Sequence, residues 1–404
     1  MQSLKYLYRI GNGPSSSHTM GPANAIEHLK AMYPNATFFD VTLYGSLAFT
    51  GRGHLTDYII IEKCKPLPCE IHFDYDFEPD FPNTFIVKMT LDNGEMVVKE
   101  ILSLGGGAIS IEGVSTSEDE EVYPHKNLSE IKAFCTEKGL RFYDYVYLYE
   151  GPEIKEYLLK VWNTMKKSIL NGIQKEGYLP GKLKVQRKAK TFYDSLTKKD
   201  EENQNNRYRL LAAYAYAVCE ENASGGTIVT APTCGACGVL PSILKFYQEY
   251  FNCSDEVICN ALATASLFGN IAKTNGTISG AEGGCQAEVG NATAMAAAAI
   301  CEIKNLTLDE IECAAEIAIE HSLGLTCDPV EGYVQIPCIE RNAVFAVKAL
   351  GAANLAEVLC GTQHITFDEA VHTALLTGRD IKAAYKETST GGLASSYKTY
   401  NSKK

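Results

Sequence analysis

FIVKMTLDNGEMVVKEI, residues 85–101, holds two extended apolar runs, Phe85–Leu91 and Met96–Ile101, around Asp92-Asn93-Gly94. Asn-Gly between two such runs is the strongest short-range hairpin signal. Working outward, further extended apolar runs stand at Thr37–Leu43, Tyr58–Ile61 and Glu70–Tyr75. Ala23–Met32 and Leu128–Lys138 read as helices. Strands interleaved with a few helices predict a small α+β domain over residues 1–150.

After Gly151 the pattern changes. Tyr157–Ile173 carries apolar residues at helical spacing. Thr197–Arg207 is polar and reads as a loop. Ser254, followed by Asp255 and Glu256, is a helix start. Thr307-Leu308-Asp309-Glu310 and Thr366-Phe367-Asp368-Glu369 both spell capping boxes. Gly324 and Gly378 stand where helices so opened would end. The alanines of Met295–Ala299 suit a helix tightly surrounded by others. Residues 151–404 are therefore predicted to form an all-α domain, with no fixed-period repeat.

A length of 404 residues fits two domains. The net charge of −12 argues against nucleic acid as partner, because a duplex binder needs a basic face. No run reaches the ~18 apolar residues of a membrane span. Met1–His18 has no signal-peptide core, so a cytoplasmic protein is expected. Fourteen cysteines in a long, unexported chain should be thiols, metal ligands or small buried hydrophobes rather than disulfides.

Three glycine-rich polar stretches are candidate sites. In Gly13-Pro-Ser-Ser-Ser-His-Thr-Met-Gly-Pro22, three serines with backbone N–H groups ahead of a helix suit a carboxylate or phosphate. The same stretch also reads as a capped helix start on a solvated loop. In Tyr44–His54, glycines flank Arg52 and His54 and allow close approach of a ligand. A lone histidine after glycine is more often structural, and His125 in Val122-Tyr-Pro-His-Lys-Asn127 is equally ambiguous. The third region joins Asn270–Asn291 to Cys327-Asp-Pro-Val-Glu-Gly332 and Pro337-Cys-Ile-Glu-Arg-Asn342. Buried polar groups are costly unless paired, so their density here suggests a site, and Cys285, Cys327 and Cys338 each sit inside it. Cys234 and Cys237 form the obvious Cys-x-x-Cys. No second such pair completes a zinc site, and no thioredoxin-like strand precedes it.

Taken together, these motifs resemble the iron–sulfur L-serine dehydratases (L-serine ammonia-lyases) of bacteria. GPSSSHTMGP, LYGSLAFTGRGH and SLGGGAI are similar to the family's β region. LPGKL, APTCGACGVLP, SGAEGGCQAEVG, CDPVEGYVQIPCIERN and YKETSTGGLA are similar to its α region. The resemblance covers nearly the whole chain. It implies an α+β N-terminal domain, similar to an allosteric substrate-binding module, followed by an all-α catalytic domain. It also implies a homodimer, and the length leaves no room for an ACT-type domain.

The resemblance further implies a [4Fe–4S] cluster on Cys285, Cys327 and Cys338, with one iron left free for L-serine. Neither Cys234 nor Cys237 is implied as a ligand. An iron lacking a fourth protein ligand can act as a Lewis acid on the serine hydroxyl, a poor leaving group. The α-proton needs a base; the resemblance gives that role to His54, with His18 and His125 in support. Ser16, Ser17, Thr19 and Gly106 are the expected substrate contacts, and Arg341 matches a carboxylate. Related single-chain enzymes often end in a cysteine that folds back on the cluster. The tail Gly392–Lys404 has none, so the free iron is expected to carry water or a small anion.

Three rivals remain at this stage. A pyridoxal-phosphate dehydratase would use Gly105-Gly-Gly107 as phosphate loop, but lacks a lysine motif. A related cluster lyase would act on L-cysteine or L-threonine. An amino-acid-sensing regulatory protein would keep the N-terminal motifs but has no use for three cysteines in polar loops.

Overall fold

The computed structural model of the chain describes residues 1–114, 121–196 and 204–401. Among the described residues the strands are β1 (Ile10–Asn12), β2 (Ala36–Leu43), β3 (Cys69–Phe73), β4 (Thr84–Leu91), β5 (Met96–Gly105), β6 (Ala108–Ile111) and β7 (Thr227–Val229). Helices in the first 114 residues are α1 (Gly21–Met32), α2 (Gly45–Thr50) and α3 (Thr56–Cys64). Then follow α4 (Leu128–Lys138), α5 (Phe142–Glu150), α6 (Ile154–Ile173), α7 (Ala189–Asp194), α8 (Gln204–Ala223), α9 (Val239–Phe251) and α10 (Asp255–Asn275). The chain continues through α11 (Gly280–Gly283), α12 (Asn291–Ile303), α13 (Leu308–Glu320), α14 (Cys338–Leu359), α15 (Phe367–Asp380) and α16 (Gly392–Asn401).

The predicted hairpin is β4–β5. Thr90 pairs with Met96, and Gly94 turns the chain at φ +83°. Phe85, Val87, Met89 and Leu91 are buried while the residues between them are less so, the period of a half-buried strand. The sheet runs β3-β2-β4-β5-β6, with only β2 and β3 parallel. Its apolar face packs on Ile26 and Leu29 of α1 and on Ile60 and Cys64 of α3.

Tyr58–Ile61, expected as extended, lies inside α3. Ile60 and Cys64 are buried one helical turn apart, whereas Tyr58 and Ile61 face water. A parallel pair cannot be joined by a hairpin. The β2–β3 connection therefore crosses over the sheet, and α3 is part of that crossover.

The second part is mostly helical. α12 sits at its centre against α9, α10, α13 and α14. Ala292, Ala294 and Ala296–Ala299 are fully or almost fully buried, and their small side chains let neighbouring helices approach. Ser254 caps α10, and both capping boxes form, at Thr307/Glu310 and Thr366/Glu369. α14 is long and apolar enough to cross a membrane by length and composition, yet it packs on α8, α12 and α13 through Ala346, Ala349 and Ala353.

Two expectations for this half need correction. Of the loop expected at Thr197–Arg207, residues 197–203 lie outside the described residues, and Gln204–Arg207 already belong to α8. Gly324 lies in the turn beyond α13 at φ +83°, but Gly378 sits inside α15. A Cβ on Gly378 would lie 2.8 Å from the Cα of Gly283, so this glycine serves close packing rather than helix termination. The helical half also contributes β7, which pairs antiparallel with β1. Met1, Leu4, Leu7 and Tyr8 are buried in the same apolar core as α10 and α12, so the first residues thread into the helical part.

The sheet-bearing part meets the helical part along loops. Ser46 Oγ donates to the Glu387 carbonyl across that boundary. A Cβ on Gly53 would stand 2.7 Å from the carbonyl carbon and oxygen of Gly332. Gly53→Ala is expected to destabilise by about 1–3 kcal/mol, since backbone cannot yield as a side-chain tip can. Gly351→Ala, with nothing within 4 Å of the new methyl, should gain about 0.5–1 kcal/mol on helix propensity. Urea midpoints of the two variants check the contrast. Equal midpoints would mean that the Gly53–Gly332 approach imposes nothing.

Candidate active site

Two π-helical turns frame the site. Ser16–Met20 precedes α1 and centres on His18; Gln286–Gly290 precedes α12 and centres on Glu288. Such turns interrupt helices mostly at functional sites. Ser15 starts the first, its hydroxyl accepting from the His18 N–H at 3.1 Å. Cys285 immediately precedes the second.

The pocket between them is lined by Ser15, His54, Cys285, Glu288, Cys327, Cys338, Arg341 and Glu387, among others. The sulfurs of Cys285 and Cys327 and a carboxylate oxygen of Glu288 all lie within 4.8 Å of one another, and all three residues are buried. Cys338, the first residue of α14, lines the same pocket without being a corner of that triangle. The Cys327 sulfur lies 3.8 Å from both Glu288 Oε2 and Glu387 Oε1, within reach of either carboxylate for its single S–H proton. Glu387 arrives there by backbone pairing. The Cys327 N–H donates to the Tyr385 carbonyl at 2.8 Å, and the Glu387 N–H to the Cys327 carbonyl at 2.7 Å.

Arg341 is the only lining cation; its Nη1 donates to the Thr326 carbonyl at 2.8 Å. The bond from Cys327, and then the nearby guanidinium, hold the Cys285 thiol down to about 6. Burial pushes the Cys338 thiol well up. Burial, followed by the charge of Glu387, pushes Glu288 well up, although Thr233 donates to it at 2.8 Å. Burial and the Cys285 sulfur raise Glu387 to about 7, and its Oε2 is buried without a hydrogen-bond partner.

The sequence profile of the serine dehydratase alpha chain matches residues 88–394, and that of the beta chain residues 3–65. The chain is 38% identical to an L-serine dehydratase of Haemophilus influenzae, covering 98% of this chain and 99% of the relative. It is likewise 38% identical to L-serine dehydratase 1 of Escherichia coli at the same coverage. The L-serine dehydratase of Streptomyces coelicolor is 36% identical, over 96% of this chain and 97% of the relative. The chain belongs to the serine dehydratase family.

Of the three histidines singled out for this family's chemistry, the structure brings two together. The rings of His18 and His54 are 4.4 Å apart, and both are buried. His18 Nδ1 is 2.8 Å from Ser17 Oγ, and Nε2 is 3.1 Å from Ser46 Oγ. The Ser46 hydroxyl has one proton, which it gives to the Glu387 carbonyl at 3.0 Å. It must therefore accept from Nε2–H, and Nδ1 must accept from Ser17. His18 is thus a neutral, fully satisfied imidazole, and burial lowers its pKa to about 4. His54 differs. Burial, and then the neighbouring His18, push its pKa well down, and its Nδ1 is buried with no partner.

His125 stands elsewhere. Its Nδ1 is 2.8 Å from the Tyr145 hydroxyl, and its ring lies 5.3 Å from that of Phe134, in an aromatic cluster of α4 and α5. It lines no part of the pocket. Ser16, Ser17 and Thr19 are buried in the first π turn but are not lining residues; Ser17 supports His18, and Thr19 donates to the His54 carbonyl at 2.8 Å. Gly106, at φ +61°, faces Ile278 and the Pro232 carbonyl, so its role is the approach of sheet to helices. Cys234 and Cys237 lie in an apolar cluster with Ile228 and Ile339. On α16, Tyr397 and Tyr400 are not lining residues either.

Ser46, Glu288 and Glu387 were not singled out from the sequence, and Ser15 was named only as one of three serines ahead of a helix. Glu288 left one usable signal: a carboxylate three residues after Cys285 in an otherwise small and apolar stretch.

A neutral buried histidine opposes acid. With a folded pKa of about 4 against about 6.5 unfolded, the stability tied to His18 is complete above pH ~6.5 and is lost as pH falls toward 4. The term amounts to about 2 kcal/mol between pH 7 and pH 5. His18→Gln should show that much less loss over this interval in urea midpoints. Equal losses in both proteins would mean that His18 is not held neutral.

Proposed function

We propose that the chain is an L-serine ammonia-lyase, converting L-serine to pyruvate and ammonia, and that the pocket of Cys285, Cys327 and Cys338 is its active site. The observation that carries this reading is the buried Cys285–Cys327–Glu288 triangle with His54 in the same pocket. The donor set fits an iron–sulfur group, because such clusters are held by thiolates. Two buried carboxylates and three thiols beside one guanidinium also leave room for further positive charge. Cys285, Cys327 and Cys338 would hold a [4Fe–4S] cluster, which when bound supplies a Lewis-acidic iron for the substrate hydroxyl.

The remaining work falls to the chain's own side chains. His54, with an unpaired Nδ1 and a pKa kept low, takes the α-proton. His18 cannot share that task while both its nitrogens are engaged; it packs against His54 and positions it. The Ser15 hydroxyl, on the pocket wall, receives the substrate carboxylate. Arg341 is bonded to the Thr326 carbonyl and to Cys285, and its remaining N–H groups match the substrate carboxylate. Loss of the α-proton and of hydroxide leaves aminoacrylate, which tautomerises to the imine and hydrolyses. The closed pocket keeps other acids and bases from the carbanion. The same reading takes a second copy of the chain as partner and the cytoplasm as compartment, on family likeness.

Anaerobically purified protein should release pyruvate and ammonia in equal amounts from L-serine, and faster than from L-threonine or L-cysteine. Iron chelation should abolish this turnover. His54→Asn should lower the turnover number by ~10²–10⁴-fold with unchanged iron content. Turnover that survives chelation, or a His54 variant with wild-type turnover, would overturn the assignment.

A further inference from the structure

A second cavity, of about 520 Å³, is lined by residues of the N-terminal segment, the end of the first π turn, α1, α3 and α6. That volume is in the range of small-molecule sites. Among the described residues its wall carries Lys5, Arg9, Lys63 and Lys160, with Glu27 as the one carboxylate. Glu27 is already paired with Lys63. In a chain with 49 acidic and 37 basic residues, this concentration of cations inverts the overall balance. Concave walls of one sign focus the field and concentrate counter-ions.

The cations are held in place. The Arg9 guanidinium lies over the Tyr6 ring at 5.3 Å, and the Lys5 ammonium over the Tyr157 ring at 5.8 Å. Gly107 makes room for Arg9: a Cβ there would stand 3.1 Å from Arg9 Cδ, at a φ of +87°. Asn24 is fixed by donating to the Gly107 carbonyl at 2.9 Å. Met20 and Ile59 supply apolar floor, and Thr19, whose hydroxyl holds the His54 carbonyl, is part of the same lining.

We infer that this cavity binds a small organic anion carrying two or more negative charges, a phosphate monoester or a dicarboxylate. The guanidinium pairs bidentately with either group, and the lysines add point charges. The amides and apolar floor suit a short carbon skeleton.

Calorimetric titration of the holoenzyme with 3-phosphoglycerate and, separately, with succinate at matched ionic strength tests the inference. Binding of either is expected, and the stronger arm names the anion class. Arg9→Gln and Lys160→Gln should each weaken that binding at least about tenfold, a loss of about 1.4 kcal/mol. Neither residue belongs to the active site, so basal serine turnover should stay within about twofold. No heat from either probe at about 10 mM, or binding equally strong in both variants, overturns the inference. The heats are read without serine, so failure here leaves the active-site reading untouched.

Discussion

Two buried thiols, a half-buried third and two buried carboxylates line one pocket against a single guanidinium. Burying like charges together is costly, and the protein answers in two ways. Glu288 and Glu387 are pushed toward their neutral forms, and the Cys327 thiol is pushed up beside them and keeps its proton. Only Cys285, nearest the Arg341 charge, is drawn toward thiolate. A pocket so poised gains from any added cation, because each donor can then ionise. The surrounding fold maintains this density: α12 and α14 start at the pocket, and the backbone of Cys327 is bonded on both sides to the segment that carries Glu387.

The Ser46 hydroxyl connects this pocket to the sheet-bearing part. One oxygen accepts from His18 and donates to the Glu387 backbone, so the two parts share a single proton chain. That chain fixes the tautomer of His18 and, through ring contact, the place of His54. The N-terminal residues thus complete a site whose sulfurs all come from the helical part.

Much of this was legible in sequence where the signal is local. The Asn93-Gly94 turn, the two capping boxes and the alanine-rich α12 follow from backbone chemistry within a few residues. Cys285 and Cys327 stood out because polar loops in an apolar helical half need a reason. What was missed depends on distant partners. Tyr58–Ile61 has strand-like composition but is bound to a crossover. β1 and β7 are three-residue strands separated by more than two hundred positions. His125 looked like His54 in composition, and only packing against Phe134 and Tyr145 separates them. Glu387 enters the site through backbone pairing with Cys327, which leaves no mark on side-chain pattern.

The most direct measurement is iron bound per chain, taken anaerobically on single cysteine-to-alanine variants. The wild-type protein and Cys234→Ala should both carry about four irons, as one cubane requires, while Cys285→Ala, Cys327→Ala and Cys338→Ala should each carry almost none. Iron retained in Cys327→Ala but lost in Cys234→Ala would contradict the account at its centre.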